Sequence, residues 1–446
     1  MKKLLKIIKI IVGTYFFIFP LLSQATCINV TSTSSLSAEI ISAGYTATTW
    51  AGATRYTGGS LGLPSTISLS SNEGFMPAGT LLASSTASFI TASSSKAFTE
   101  NQILFRCALA DAESLYEVFA TQANINAYSG RYETSDIESA YHTYVKGVAI
   151  RLTNMKAGSY YSPYWQSRAL SSEEYITDDT YIYIPASAFS DTYIEIFKTA
   201  STVYTGGNST NSYLYAEPYA HGFSTLRGPG MNTTLTDGAP ETSYTGGWPT
   251  YWAGQTSLYN QVTFVRGAMC LVKDYPSIVL LPRISTSSLN SGEASQTTFD
   301  ISLSCEDGAV SSVSKSSSTS ANVAMGFLVN QSTAVTAATT LGLTSTSGLT
   351  HLLDTNYGSL GVASGVGIRI YSESGNALNL LSSNTTTTGN AGGWYAYKDL
   401  TTSQDDSTDG VTTYTGNFTA SLEAISGETV SAGTVNAQLQ VVVSFQ

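Results

Sequence analysis

Charged side chains are scarce in this sequence of 446 residues, and basic ones are scarcer than acidic ones. Only 11% of the residues are charged, and 20 lysines and arginines stand against 31 aspartates and glutamates. No run of basic residues occurs after the first ten positions. An acidic chain without a basic run is a poor partner for nucleic acids and other anionic polymers. We therefore expect no nucleic-acid partner.

Residues that carry catalysis or hold metals are also few. The sequence has three histidines, His142, His221 and His351. Two acidic pairs, at residues 173–174 and 178–179, lie in polar, turn-rich segments, where solvated loops explain them better than glycosidase chemistry does. The oxygen-rich segment 404–410 lacks the ligand spacing of a calcium loop. The sequence therefore predicts no enzyme, no metal site and no cofactor.

Only four cysteines occur, and they form two well-separated couples, Cys27 with Cys107 and Cys270 with Cys305. Four cysteines allow three pairings, and the wide separation favours pairing within each couple. A bond between Cys27 and Cys107 would close a loop of about 80 residues and stabilise the fold by roughly 4 kcal/mol. None of the spacings resembles a zinc site.

The first 25 residues have the three parts of a secretory signal peptide. Four lysines precede an apolar run over residues 10–22, and small residues lead to Ala25. The apolar run is too short to span a bilayer. We expect cleavage after Ala25 and export of the remaining chain.

Serine, threonine, glycine and tyrosine are abundant, and glycine or proline interrupts the short apolar stretches. This composition is typical of strands and turns, so the sequence predicts an all-β protein. Residues 111–119 fit a helix or a strand, and their Leu-Tyr-Glu-Val-Phe core favours the strand. Tyrosine and tryptophan become sparse after about residue 260. We predict an N-terminal domain over residues 26–260 and a C-terminal domain over residues 261–446.

The last stretch of the chain, residues 433–446, places apolar side chains at every second position. These positions are Val435, Ala437, Leu439, Val441, Val443 and Phe445. In an extended chain they share one face, so the stretch predicts a half-buried β-strand. An apolar strand with an open edge promotes aggregation unless another strand covers that edge.

Four segments of the C-terminal part carry a family resemblance. In chain order they are Cys270-Leu-Val-Lys-Asp-Tyr-Pro276, Thr298-Phe-Asp-Ile-Ser-Leu-Ser-Cys305, Gly365-Val-Gly-Ile-Arg-Ile-Tyr371, and Val430-Ser-Ala-Gly-Thr-Val-Asn-Ala-Gln438 leading to Val443-Ser-Phe-Gln446. Together they resemble the pilin domain of chaperone-usher fimbriae, and the closing segment is similar to that of two-domain tip adhesins. The resemblance covers residues 262–446. Phe445 stands where the family usually has tyrosine, and it keeps the ring.

The resemblance implies an immunoglobulin-like sandwich that lacks its last strand. The six alternating residues would then line a hydrophobic groove that strand addition from another chain fills. The implied partners are a periplasmic pilus chaperone, an outer-membrane usher and the donor strand of an adjacent pilin subunit. Basic residues of the chaperone would hold the carboxylate of Gln446.

The expected mature N-terminus indicates a position in the fibre. A shaft subunit needs a free donor arm before its first pilin cysteine, whereas the expected mature chain begins Thr26-Cys27. The resemblance therefore implies a fimbrial tip adhesin, exported through the periplasm to the cell surface. Its N-terminal domain, a β-sandwich or jelly roll, would bind a host-surface receptor. The alternatives are a minor subunit that caps or initiates the fibre, and a secreted enzyme with a pilin-like module.

Two aromatic clusters in the predicted N-terminal domain are candidates for receptor binding, above all for a glycan. They are Tyr160, Tyr161, Tyr164, Trp165 and Arg168 in one segment and Trp248, Tyr251 and Trp252 in another. Sugar C–H faces stack on aromatic rings while short polar groups bind the hydroxyls. The alternative is that these rings pack the core of the β-domain, and the sequence leaves open which cluster faces solvent.

Overall fold

The structure is a computed structural model that describes residues 27–445 except 55, 57, 71, 94–96, 123–126, 203–206, 244–251, 314–320, 384–385, 387–388, 405–406 and 408. Strands dominate the described residues, and the longest helix has 9 residues. The prediction of an all-β protein is confirmed. We call residues 27–266 the N-terminal half and residues 267–445 the C-terminal half.

The N-terminal half contains sixteen described strands. They are β1 (Ile28–Asn29), β2 (Thr66–Leu69), β3 (Leu81–Ala87), β4 (Ile103–Ala108), β5 (Tyr116–Thr121), β6 (Tyr141–His142), β7 (Val148–Asn154), β8 (Ser159–Tyr160), β9 (Gln166–Ala169), β10 (Ile176–Thr177), β11 (Tyr181–Pro185), β12 (Thr192–Lys198), β13 (Ser212–Leu214), β14 (Gly222–Arg227), β15 (Gly254–Thr256) and β16 (Thr263–Arg266). They form four sheets, ordered β1-β4-β11-β10, β3-β12-β7-β6 with β8 beside β7, β13-β16-β2, and β15-β14-β5-β9.

The pairing of β7 with β12 shows how alternation fixes these sheets. Ile150 lies opposite Ile196, and Leu152 lies opposite Ile194. All four side chains are buried in one apolar cluster. Because a slip of one residue would turn every apolar side chain to the other face, the pattern fixes the register.

Residues 109–121 correct one prediction. A strand over residues 111–119 is wrong at its beginning, because Leu109–Ser114 forms a 3-10 helix and β5 starts only at Tyr116. The first part of the segment, Leu-Ala-Asp-Ala-Glu-Ser, has no β-branched or aromatic residue. Such a sequence favours a helical turn over a strand.

The C-terminal half contains thirteen described strands. They are β17 (Cys270–Asp274), β18 (Ser295–Glu306), β19 (Val310–Ser311), β20 (Asn322–Leu328), β21 (Thr344–Ser345), β22 (Gly348–Leu349), β23 (Val366–Ser372), β24 (Ala377–Leu378), β25 (Leu380–Leu381), β26 (Trp394–Ala396), β27 (Thr402–Ser403), β28 (Val411–Ala424) and β29 (Gln440–Phe445). One sheet has the order β17-β18-β28-β23-β24 with β27 beside β28, and the other has the order β19-β20-β25-β22-β21, in which β26 and β29 also pair with β20.

Short helices connect these strands. The α-helices are Ala38–Ser42, Phe89–Ala92, Thr286–Asn290, Ser332–Thr340, Gly389–Gly392 and Tyr397–Leu400. The other helical turns are Thr33–Ser35, Leu109–Ser114, Ala186–Ala188 and Glu241–Ser243, together with the π-turn Ala127–Arg131. Serine caps several of them, as Ser285 does by accepting a hydrogen bond from Ser288 N.

The two C-terminal sheets enclose one large apolar core. Phe418 on β28 contacts Phe327 on β20 with ring centroids 5.1 Å apart, and both rings are fully buried. The bond between Cys270 and Cys305 joins β17 to β18, and the other couple pairs Cys27 with Cys107. Both pairings match the prediction of bonds within each couple.

A glycine explains part of the Gly365-Val-Gly motif that begins the strand β23. Gly365 has a φ of +67°, and a Cβ there would lie 2.4 Å from the carbonyl oxygen of Thr429. A residue with a side chain would therefore be strained and would collide with the neighbouring backbone. The motif allows the chain before β29 to pass close to the start of β23.

Candidate functional site

Strand β29 lies at an edge of its sheet. It pairs antiparallel with β20 along its whole length, and among the described residues no strand pairs with its other side. Just before β29, the carbonyl oxygens of Thr434 and Asn436 accept hydrogen bonds from backbone N–H groups of Ala363 and Thr355. The chain is therefore held at both places, while the outer edge of β29 has no strand partner.

Side chains along the terminal stretch alternate in exposure as they alternate in polarity. Val435, Ala437, Leu439, Val441 and Val443 are half-buried against the main core of the C-terminal half, and Phe445 is buried within it. The intervening side chains of Asn436, Gln438 and Gln440 are exposed. Val442 packs on the opposite side, in a small cluster with Trp394 and Leu381. The structure thus brings all six predicted groove residues to one apolar face.

Residues 275–284, which follow β17, form a second uncovered segment. They adopt no described strand, although Val279 and Leu281 pack against the same core as β29 does. Ile278 and Leu280 point outward and are 73% and 79% exposed. Large aliphatic side chains at this exposure on alternating positions indicate a surface that another chain covers.

A cavity of about 520 Å³ lies between β17 and β29. Its walls include Met269 to Val272 on one side and Gln440 to Ser444 on the other, with Leu328 and Trp394. No charged side chain lines it. An uncharged cavity bordered by an unpaired strand is suited to an extended apolar segment rather than to a charged small molecule.

The N-terminal half is joined to this region by buried polar contacts. Glu306, at the end of β18, accepts hydrogen bonds from Ser70 Oγ at 2.9 Å and from the N–H of Met269 at 3.0 Å. The N–H of Phe445 donates to Ser68 Oγ at 3.1 Å. Lys198 Nζ donates to the carbonyl of Ser70, and burial lowers the pKa of this lysine. These bonds fix β2 and the residues after it beside β29.

The candidate receptor residues of the first aromatic cluster separate into exposed and buried side chains. Tyr164 is 54% exposed and Tyr160 is 37% exposed. The Arg151 guanidinium lies 4.7 Å above the Tyr160 ring, which orients that ring. Gln166 Nε2 donates to Ser162 Oγ and to the carbonyl of Tyr160. This surface combines two exposed rings with short polar groups.

The other rings of the predicted clusters are packing residues. Tyr161 is 2% exposed, and its hydroxyl contacts Thr192 Oγ1. Trp165 and Trp252 are buried and meet edge to face with ring centroids 5.0 Å apart. A buried ring offers no face to a ligand, so the binding role predicted for these three is not supported by their position. Trp248 and Tyr251 lie outside the described residues.

Arg168 belongs to a buried ionic network instead of a binding surface. Its Nε donates to Glu117 Oε2 at 2.5 Å, and its Nη1 donates to both oxygens of Glu174. Glu117 is fully buried and also accepts hydrogen bonds from Ser224 and Asn154. Burial opposes the charge on Glu174, but hydrogen bonds from Arg168 and Lys156 lower its pKa to about 2. The network holds together β5, β9 and the loops around them.

The described residues bring together no group that suggests catalysis or metal binding. Burial lowers the pKa of His142, His221 and His351, and that of His221 falls to about 3. No three histidine, cysteine or acidic side chains within the described ranges could hold a metal ion. Residues 58–62 have the Gly-x-Ser-x-Gly spacing of a nucleophile elbow, but they form an irregular segment before β2 rather than a strand-to-helix turn.

In the comparison with known families, the C-terminal part of the chain has a match. Residues 257–446 match the family model described as fimbrial protein. The comparison with curated proteins gives no match. Among the described residues, every helix is too short or too polar to cross a membrane.

Several solved structures are similar to the chain. The P pilus rod subunit PapA is 16% identical with a TM-score of 0.24, covering 40% of this chain and 99% of that one. The CupB6 tip adhesin from Pseudomonas aeruginosa is 14% identical with a TM-score of 0.23, covering 86% and 96%. The CsuC-CsuE chaperone-tip adhesion subunit complex from Acinetobacter baumannii is 14% identical with a TM-score of 0.21, covering 85% and 97%.

Proposed function

We propose that this protein is a tip adhesin of a chaperone-usher fimbria, with a receptor-binding domain over residues 26–260 and an anchoring domain over residues 261–446. The observation that carries the proposal is the unpaired edge of β29 beside an uncharged cavity, within a part of the chain that matches a fimbrial family. A strand donated by the adjacent subunit pairs with β29 and fills the cavity.

Before assembly, a periplasmic chaperone covers the same edge, and an outer-membrane usher receives the complex. The assembled protein stands at the cell surface. The proposal includes no catalytic step, and it requires only that the C-terminal half remain incomplete until a strand is supplied. Exposed Ile278 and Leu280 support this requirement, since they lie on the segment that follows β17 on the other side of the cavity.

Periplasmic expression tests the anchoring role. We expect the full chain to aggregate or to be degraded when produced alone, and to be soluble with a chaperone from the same gene cluster. A donor strand of alternating valine and threonine, fused through a flexible linker, should replace the chaperone. The matched control is a fusion whose pattern is shifted by one residue, because the shift turns the apolar side chains away from the cavity. A stable soluble monomer of the unmodified chain would contradict the proposal.

A pair of substitutions tests the groove itself. Val443→Asp places a charge on the apolar face of β29, and we expect the chaperone complex or the donor-strand fusion to be lost. Gln438→Asp adds the same charge at an exposed position just before β29, outside the cavity lining, and should be tolerated. Equal yields of soluble protein from the two variants would contradict a role of this apolar face in strand acceptance.

The receptor-binding role rests on the surface of Tyr160 and Tyr164. These two rings are exposed beside the Gln166 amide and Ser162 hydroxyl, a combination that suits a glycan, with ring faces for C–H groups and polar groups for hydroxyls. A protein receptor would use the same rings as anchors.

A glycan array tests this surface with the full chain stabilised by a fused donor strand. We expect saturable binding that Tyr160→Ala and Tyr164→Ala each weaken, whereas Tyr56→Ala, at another exposed tyrosine of the N-terminal half, leaves it unchanged. Silence across glycans and matrix proteins would favour a subunit that caps or initiates the fibre without a receptor.

A further inference from the structure

The cavity between β17 and β29 has a third wall, which comes from the N-terminal half. That wall consists of Pro64, Thr66, Ile67, Ser68 and Met76, followed by residues 80–84. The strand β2 and the start of β3 therefore border the groove at this end. Like the rest of the lining, this wall carries no charged side chain.

The third wall is fixed in place. Met76 is 2% exposed and belongs to the same buried cluster as Phe327 and Phe418 of the C-terminal half. The hydrogen bond from Phe445 N to Ser68 Oγ connects the wall to the last described residue of β29. A wall packed into the core of the other half cannot move aside without exposing that core.

A β-bulge shapes the wall at Leu82. Ala83 lies opposite Ile196 and Leu81 lies opposite Phe197, so Leu82 has no partner on β12. A bulge redirects a side chain and bends its strand. The Leu82 side chain packs against the main cores of both halves, while Leu81 remains 49% exposed at the rim.

Four unpaired strand edges surround the cavity in the described part of the chain. There, β2 pairs only with β16, β3 only with β12, β17 only with β18, and β29 only with β20. Unpaired edges offer backbone donors and acceptors to an extended segment. An apolar strand from another subunit can form hydrogen bonds with these edges and pack against the uncharged walls. A charged or folded ligand is not suited to this combination.

We infer that the N-terminal half binds the end of the donated strand, with Leu81 and Leu82 in contact with its terminal apolar residues. The inference rests on the proposed function, because it requires a donated strand. The inference adds a second role for the N-terminal half, which also selects the adjacent subunit that donates the strand. A donor strand must reach β3 and end in apolar residues, and a charged end is rejected.

Peptide release from the full chain tests the inference. The chain, with both disulfides formed, is refolded with a fluorescent peptide of alternating threonine and valine that is long enough to fill the cavity. A shortened peptide lacks the residues that would reach β3. The variants are Leu81→Asp and Ser84→Asp, both at exposed positions of the wall, and the control is Thr86→Asp, an exposed position of β3 outside the cavity lining.

We expect the long peptide to dissociate about tenfold faster from Leu81→Asp and Ser84→Asp, because the strand end meets a charge in an apolar site. Thr86→Asp should match the unmodified chain, and the shortened peptide should not distinguish the variants. Equal release of the long peptide from Leu81→Asp, Ser84→Asp and Thr86→Asp would overturn the inference. Failure of every peptide to bind the unmodified chain would overturn strand acceptance itself, and the inference with it.

Discussion

The two halves of the chain differ in what stabilises them. All four described ion pairs lie in the N-terminal half, between residues 117 and 195, and its buried apolar side chains divide into five clusters. The C-terminal half has one dominant apolar core and no ion pair within the described ranges. We therefore expect acid and the loss of charged side chains to lower the stability of the N-terminal half. The C-terminal half should instead be destabilised when its open strand edge is left uncovered.

The largest expected effect on stability comes from removing a disulfide, and each half contains one. The loops they close span 80 and 35 residues, and the loop-entropy model assigns them about 4.5 and about 3.8 kcal/mol. We expect Cys27→Ser with Cys107→Ser to destabilise slightly more than Cys270→Ser with Cys305→Ser. Chemical denaturation of the donor-strand fusion measures both. A much larger loss for the second pair would mean that its bond also holds β17 in place for strand acceptance.

Removal of the buried guanidinium of Arg168 should show the difference in stability between the two halves more clearly. Arg168→Met leaves Glu117 fully buried without its ionic partner, and breaking such a pair costs about 3–5 kcal/mol. The same change at Arg369, which lies 5.6 Å from the Tyr371 ring and forms no described ion pair, should cost about 0.5–1 kcal/mol. Hydrogen exchange measured by mass spectrometry assigns each loss to its half. Comparable losses would contradict the division drawn above.

The pH dependence of stability should also divide between the halves. The pKa of Glu174 falls from 4.5 to about 2 on folding, so its contribution is fully present above pH 4.5 and is lost as the pH falls through 2. We expect the N-terminal half to weaken within this window and Glu174→Gln to reduce the slope. Glu173→Gln, at the exposed neighbouring position, serves as control. An unchanged slope in Glu174→Gln would exclude this carboxylate as the source.

The smallest expected effect concerns a hydrogen bond on the C-terminal sheet. Tyr371 donates to Glu423 Oε1 at 2.7 Å on neighbouring strands. Because both side chains remain partly exposed, Glu423→Gln should cost only about 0.5–1 kcal/mol. Thermal unfolding of the donor-strand fusion measures it. A loss as large as that of Arg168→Met would show that the C-terminal half also depends on charge.

The period of two over residues 435–445 is local information, and it predicts the exposure that alternates from Val435 to Gln440. The strand predicted over residues 433–446 is wrong at its beginning, because β29 starts only at Gln440. The open edge, by contrast, depends on which strands are absent beside β29. That expectation came from the order of the four C-terminal motifs and not from periodicity.

The aromatic clusters show where local information ends. Tyr164 and Trp165 are adjacent and similar in chemistry, yet one is 54% exposed and the other is buried. The difference arises because Trp165 meets Trp252, which is remote in sequence. No pattern within the segment reports such a contact. The joining of Met76 and Leu82 to the C-terminal core is unpredictable for the same reason.

The position of the bond between Cys270 and Cys305 has a mechanical consequence under the proposed function, in which the chain is pulled between a receptor and a fibre. The bond joins β17, the first strand after the N-terminal half, covalently to β18. Tension that reaches β17 therefore passes through this bond to β18, which pairs with β28 over 12 residues. We expect β17 to stay beside the cavity under load, because it cannot separate from β18 without breaking the bond.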